Sequence, residues 1–90
     1  MVCSYCGVAR GTTTDHFIKK AQVRRSIAAA RERENPRYKV RACLDCNVAL
    51  YTRLRVPESH AELIPELEAI TGSKYAVWRG DAESLREVVK

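Results

Sequence analysis

The sequence has no apolar run long enough to cross a membrane and no charged-then-apolar leader, so membrane-spanning and secreted proteins are not expected. It has only four Gly and three Pro, which argues against a low-complexity or disordered chain. A chain of 90 residues has a small hydrophobic core, because short chains bury a smaller share of their surface. We therefore expect one small cytoplasmic domain that needs stabilisation beyond its core.

Acidic residues are in the minority. The chain has eleven Asp and Glu and sixteen Lys and Arg, which gives a formal net charge of +5. A basic balance favours a polyanionic partner such as nucleic acid, although the same charge could serve solubility alone. Hydrophobic residues make up 46% of the chain and charged residues 30%, as in a globular domain.

The four cysteines form two C-x-x-C pairs, Cys3 with Cys6 and Cys43 with Cys46. Two such pairs supply the four sulfur ligands of a tetrahedral Zn²⁺ site, and a site filled by four thiolates is structural because no position stays open. Gly7 suits the turn after the first pair, which needs a positive φ. Two disulfides or a thioredoxin-like redox pair are the alternatives, but no secretory signal and no βαβ pattern accompany them. Bound zinc would also supply the missing stability.

Hydrophobic periodicity and turn signals predict an α+β domain. The predicted elements are a strand starting at 12–14 and running to 18, a helical insert over 19–34 that Asn35-Pro36 ends, a strand over 37–42, a helix over 44–55, and tail helices starting at Pro65 and Asp81. Gly72 ends the first tail helix, and residues 75–78 fit either a strand or a loop. We expect residues 1–56 to form a zinc-clamped core, and 57–90 to form a helical extension packed on the same domain.

Three residues near the predicted zinc site have side chains that are typical of a hydrolytic site. Asp15 and His16 lie toward the end of the first predicted strand, and Asn47 follows the last cysteine in the first turn of a helix. Zinc would tie both segments together, so these side chains are expected to converge. Asp and Asn oxygens suit Mg²⁺, and a neutral His can take a proton from a water that attacks a phosphodiester. The pattern predicts a one-metal hydrolytic site.

The motifs C-x-x-C-G, T-D-H-F-I-x-K and A-C-x-x-C-N resemble the HNH endonucleases, and the run VRACLDCN at residues 40–47 is similar to the phage recombination endonuclease VII group. The resemblance covers residues 3–54. It implies a ββα-metal fold with structural zinc, and a DNA endonuclease that uses Mg²⁺ or Mn²⁺. Carried over by position, His16 is the general base, Asp15 and Asn47 are ligands of the catalytic ion, and Lys20 is the basic residue after the D-H strand. A phage-encoded member would act in the host cytoplasm.

The sequence departs from the family at Tyr38, where the family has an Asn that orients the base. Asn35 is the nearest amide, but its odd offset would place it on the opposite face of a strand. Either another group positions His16, or catalysis is weak or absent. The alternative functions are therefore a catalytically weak or inactive zinc-stabilised module of the same fold that binds nucleic acid or a protein partner, and an accessory subunit.

The basic residues after the D-H strand are expected to contact DNA backbone phosphates. A chain this short, without a separate recognition domain, predicts limited sequence specificity or a partner protein that supplies it. Lys20, Arg24 and Arg31 are expected on one helical face. Tyr75 and Trp78 are expected to pack on the core, and stacking on bases is the alternative. The predicted DNA-binding residues are Lys19, Lys20, Arg24, Arg25, Arg31 and Arg53.

Overall fold

The computed structural model describes residues 1–49 and 53–78, and it is a small mixed α+β fold. Strands β1 (Thr13–His16) and β2 (Lys39–Ala42) pair in antiparallel register, with Asp15 opposite Val40. Helix α3 (Leu44–Ala49) follows β2 and contacts β1. Two strands followed by a helix therefore form the first part of the chain, in the order that the sequence predicts.

The insert between β1 and β2 contains two short helices, not the one helix predicted over 19–34. Helix α1 spans Lys20–Val23 and helix α2 spans Ile27–Glu32. Ser26 separates them because its Oγ accepts a hydrogen bond from the Ala29 amide and donates one to the Ile70 carbonyl. This is an N-cap, which starts a new helix instead of continuing the old one. The prediction that Lys20, Arg24 and Arg31 share one helical face is wrong for that reason.

The predicted helix over 44–55 extends too far at its end. Arg53 and Leu54 are not helical, and β3 (Arg55–Pro57) follows them. This strand pairs in parallel with β4 (Ala76–Trp78), which decides the ambiguous segment in favour of a strand. Local propensity did not show this pairing because β3 and β4 are three residues each and far apart in sequence.

The segment between β3 and β4 is helical. A 3₁₀ helix spans Glu58–Leu63, and helix α4 spans Ile64–Thr71 with Pro65 in its first turn. Gly72 ends α4 with a φ of 72°, which a residue without a side chain adopts at no steric cost. Both ends agree with the sequence prediction. The helix predicted from Asp81 lies outside the described residues.

The described hydrophobic core joins the first part of the chain to α4 and β4. Phe17, Ile18, Val56 and Leu67 are fully buried or nearly so. Tyr75 and Trp78 are buried as predicted. Within residues 1–49 and 53–78, no helix is long and apolar enough to cross a membrane.

Candidate functional site

The four cysteines form one cluster whose Sγ atoms all lie within 4.8 Å of one another. A tetrahedral zinc site with Zn–S bonds of about 2.3 Å places its sulfur atoms about 3.8 Å apart, so the cluster fits a structural zinc. All four are free thiols, and three of them are buried. Gly7 shapes the first turn with a φ of 70°, and its amide donates to the Cys3 carbonyl. The cluster therefore connects the segment before β1 to the start of α3.

The pKa shifts of the thiols differ within the cluster. Burial raises the pKa of Cys3, but hydrogen bonds from backbone amides outweigh it and lower the value to about 7. Burial raises the pKa of Cys43 and Cys46, and the proximity of Cys3 raises both values further. Four thiolates cannot be held this close without a positive charge between them, and a bound Zn²⁺ supplies that charge.

One cleft of about 640 Å³ contains the three residues of the predicted hydrolytic site. Asp15, His16 and Asn47 all line it. A cleft of this volume accommodates a ligand of small-molecule size, such as a nucleotide unit. Its other lining residues are Thr14, Lys19, Lys20, Ala21, Gln22, Arg25, Arg33, Leu44, Val48, Leu54, Thr71 and Ser73.

Asn47 connects α3 to β1. Its Nδ2 donates to Thr13 Oγ1 at 2.9 Å and to the Thr14 carbonyl at 3.4 Å. These two bonds use the amide nitrogen, so Oδ1 is the polar atom that Asn47 keeps for a ligand in the cleft.

Asp15 is the most enclosed residue of the site, because its side chain has no exposed surface. Its Oδ1 accepts from Lys19 Nζ at 3.0 Å and from Arg55 Nη2 at 3.1 Å. Its Oδ2 accepts from the Tyr5 hydroxyl. Burial, and next the negative charge of Asp15, raises the pKa of Tyr5, so the phenol stays a donor.

Three hydrogen bonds engage the carboxylate, and two of the donors are cations, so the arrangement at Asp15 does not fit a divalent ion. An ion at Oδ1 would lie against two cations, and like charges in a buried site repel strongly. The ligation of Mg²⁺ or Mn²⁺ by Asp15 and Asn47 stays a prediction, and it requires Lys19 and Arg55 to move away from Oδ1.

His16 is half-buried, and its ring contacts Glu34. The Nε2 atom lies 3.1 Å from Glu34 Oε2 and 3.2 Å from Oε1. Lys19 Nζ donates to the backbone carbonyl of His16, which holds the main chain at the end of β1. The predicted base is therefore fixed at both its ring and its backbone.

Half of the predicted DNA-binding residues line the cleft. Lys19, Lys20 and Arg25 do so, whereas Arg24, Arg31 and Arg53 are exposed residues outside it. Arg31 lies in α2, beyond the break at Ser26, and Arg53 follows α3, so neither shares a helix with Lys20. Lys19 is engaged with Asp15, and burial lowers its pKa. Lys20 and Arg25 form no ion pair within the described ranges, so their charges remain for a ligand.

Tyr38 has a role that the sequence did not indicate. Its ring is buried, and its hydroxyl donates to Glu66 Oε1 at 2.8 Å. Glu66 also accepts two hydrogen bonds from Arg37, so these residues join the start of β2 to α4. Asn35 caps the turn before β2, and its side chain forms hydrogen bonds with Glu32 and with the Arg37 amide instead of with His16.

Sequence reasoning missed several residues of the site. Arg55 falls at the end of the helix predicted over 44–55, but it lies in β3 and is buried against Asp15. Tyr5 lies between Cys3 and Cys6 in sequence, and its local sequence gives no sign of the hydrogen bond to Asp15. Arg33 and Glu34 follow α2. Their local sequence does not indicate that Glu34 contacts His16 on β1.

Comparison of the chain with protein-family models, with curated protein sequences and with solved structures finds no match to any of them. The likeness to HNH endonucleases therefore depends on the three motifs alone.

Proposed function

We propose that this protein is a zinc-stabilised endonuclease of the HNH type that hydrolyses DNA phosphodiester bonds. The observation that carries the proposal is the cleft, which brings His16 and Asn47 together with Lys20, Arg25 and Arg33. Cations beside a general base are what hydrolysis of a polyanion requires, since they hold the phosphate and offset the charge that develops on it.

Unpaired donors in the cleft support a ligand rich in acceptors. Gln22 Nε2 and Arg33 Nε are buried and have no hydrogen-bond partner among the described residues. Both residues line the cleft. A buried donor without a partner is costly, so these two atoms favour an acceptor such as a phosphate or base oxygen.

In the proposed site each residue has one role. His16 takes the proton of the attacking water, and Lys20 and Arg25 bind phosphate oxygens. Asn47 orients the substrate or a bound ion through Oδ1. The cysteine cluster fixes the ends of the two segments that carry these residues, so its contribution is positional.

One observation favours a second candidate function. Because Asp15 is engaged by Lys19 and Arg55, the charge that the resemblance assigns to the catalytic ion is already neutralised. A module that binds nucleic acid without cutting it would keep the zinc cluster and the cleft cations, and would have no use for an open carboxylate.

The test is a nicking assay on supercoiled plasmid in Mg²⁺, Mn²⁺ or EDTA, together with a measurement of DNA affinity. Wild-type protein is expected to nick the plasmid, and His16→Ala is expected to lower the rate by about 10²- to 10⁴-fold. Its affinity for DNA should change little, because ground-state binding depends on Lys and Arg. Full-affinity binding without nicking in any metal would favour the second candidate. Nicking that is unchanged in His16→Ala would contradict the proposed site.

A further inference from the structure

The contact between His16 and Glu34 determines which ring nitrogen carries a proton. An ionised carboxylate only accepts hydrogen bonds, and both of its oxygens lie within 3.2 Å of Nε2. A neutral imidazole in this position must therefore carry its hydrogen on Nε2 and its lone pair on Nδ1. Among the described residues nothing forms a hydrogen bond with His16 Nδ1, so that atom is available to a substrate or a water.

Glu34 is itself held in place. Arg33 Nη1 donates to Oε2 at 3.0 Å, and Lys39 Nζ lies 3.4 Å from Oε1. The hydrogen bond from His16, followed by the one from Lys39, lowers the pKa of Glu34 below its usual value. The side chain is thus a carboxylate at neutral pH, held from both sides by cations.

From this geometry we infer that Glu34 is the positioning residue for His16, and that Nδ1 is the atom that accepts the proton of the attacking water. The inference rests on the proposed endonuclease function. It also supplies what the sequence lacks at Tyr38, since an orienting group is present although it is a carboxylate from the insert and not an amide from the strand.

The proposed reaction is the hydrolysis of one phosphodiester bond. One proton of the water passes to His16 Nδ1 while the water oxygen bonds to phosphorus. The bond between phosphorus and the leaving deoxyribose oxygen breaks, and that oxygen takes a proton from solvent. The imidazolium then returns its proton to solvent. Throughout the reaction Glu34 accepts a hydrogen bond from Nε2–H, and it stabilises the positive charge of the imidazolium.

The first experiment is NMR of the ¹⁵N-labelled, zinc-loaded full chain at a pH where imidazole is neutral, because ring ¹⁵N shifts identify the tautomer directly. Wild type is expected to show His16 protonated on Nε2. Glu34→Ala should give a mixture of tautomers, and Glu34→Gln should retain the wild-type form because the amide oxygen still accepts. A wild-type His16 protonated on Nδ1, or a tautomer unchanged in Glu34→Ala, would overturn the inference.

The second experiment is single-turnover cleavage with the matched control Glu62→Ala, which removes the same charge from an exposed residue that, among the described residues, forms no ion pair with His16. Glu34→Ala is expected to lower the cleavage rate about tenfold relative to Glu62→Ala with equal DNA affinity, and Glu34→Gln should restore most of it. If wild type cuts and Glu34→Ala matches the control, the inference fails while the proposed function stands. If wild type never cuts, the proposed function and the catalytic role of Glu34 fail together, and NMR alone decides whether Glu34 orients His16.

Discussion

Arg55 Nη2 lies 3.1 Å from Asp15 Oδ1, and the two side chains are 2% and 0% exposed. The pair links β3 to β1, and the Arg55 guanidinium also lies over the Tyr5 ring at 5.2 Å from its centre. A buried carboxylate is tolerated only where cations and donors compensate it, so this pair fixes β3 against the β1–β2 hairpin. Asp15, which the resemblance assigns to the catalytic ion, thus forms a structural ion pair with Arg55.

Replacing Arg55 by Met should destabilise the protein by about 3 kcal/mol, because Asp15 then keeps a buried charge with one cation fewer. Urea unfolding of the zinc-loaded protein measures the change. Arg53→Ala is the control, and this exposed substitution should stay within about 0.5 kcal/mol of wild type. The double variant Asp15→Asn with Arg55→Met should lose less than the sum of the single variants, since neither partner is left charged. Equal losses for Arg53→Ala and Arg55→Met would contradict the structural role of the pair.

Removal of zinc should unfold the protein. A structural zinc contributes on the order of 10 kcal/mol to small domains, which exceeds what a core of this size supplies. Elemental analysis is expected to give one zinc per chain, and a chelator should abolish the thermal transition seen by circular dichroism. Zinc affinity should rise with pH, because the thiols of Cys43 and Cys46, whose pKa is raised, must lose their protons to bind.

A pair of adjacent substitutions controls the zinc experiment. Cys43→Ser removes a ligand and should prevent folding at ordinary zinc concentrations. Leu44→Ser introduces the same residue one position later, at a side chain that is 60% exposed, and should leave the melting temperature nearly unchanged. Identical melting of Cys43→Ser and wild type would show that the cluster does not hold a structural metal.

Substituting Tyr38 by Asn, the family's residue, should harm the protein instead of restoring activity. The ring is buried, so its loss should cost about 3 kcal/mol, whereas Tyr38→Phe removes only the bond to Glu66 and should cost about 1 kcal/mol. Urea unfolding ranks the two variants. Increased nicking by a stable Tyr38→Asn protein would indicate that position 38 acts on the catalytic site after all.

The contact between Glu66 and Arg37 predicts a pH dependence. Hydrogen bonds from Arg37 and then Tyr38 lower the pKa of Glu66 from 4.5 to about 2. A lowered folded-state pKa means that the carboxylate stabilises the fold above its ordinary pKa, and that this stabilisation is lost as the pH falls from 4.5 toward 2. The difference in unfolding free energy between wild type and Glu66→Gln should therefore be constant from neutral pH to about 5 and narrow below it. Glu62→Gln, measured in parallel, should show a smaller change.

Much of the fold could be predicted because its signals are local. The cysteine spacing, the proline at the start of α4 and Gly72 at its end each act within a few residues. The break at Ser26 was missed because its cap also involves Ile70, far along the chain. The parallel pairing of β3 with β4 was missed for the same reason, since pairing between short strands leaves no periodic pattern in the sequence.

The candidate site shows the same division. The motifs identified Asp15, His16 and Asn47 as neighbours, and the three residues do line one cleft. Their partners could not be predicted, because Arg55 and Glu34 reach them across 40 and 18 positions. Charge alone also could not separate Arg25, which lines the cleft, from Arg24, which does not.

The different positions of Arg25 and Arg24 yield a prediction for DNA binding, with a control variant that removes the same charge. Replacing Lys20 and Arg25 by Ala should weaken binding to unrelated DNA sequences by similar factors. The slope of log K against log salt concentration should decrease in magnitude by up to about two. Replacing Arg24 and Arg31 removes the same two charges from outside the cleft, and should change the slope much less. Fluorescence anisotropy over a series of salt concentrations measures both. Equal slopes for the two double variants would mean that DNA affinity depends only on the net charge of the insert and that DNA does not enter the cleft. His16 would then have no phosphodiester bond to act on.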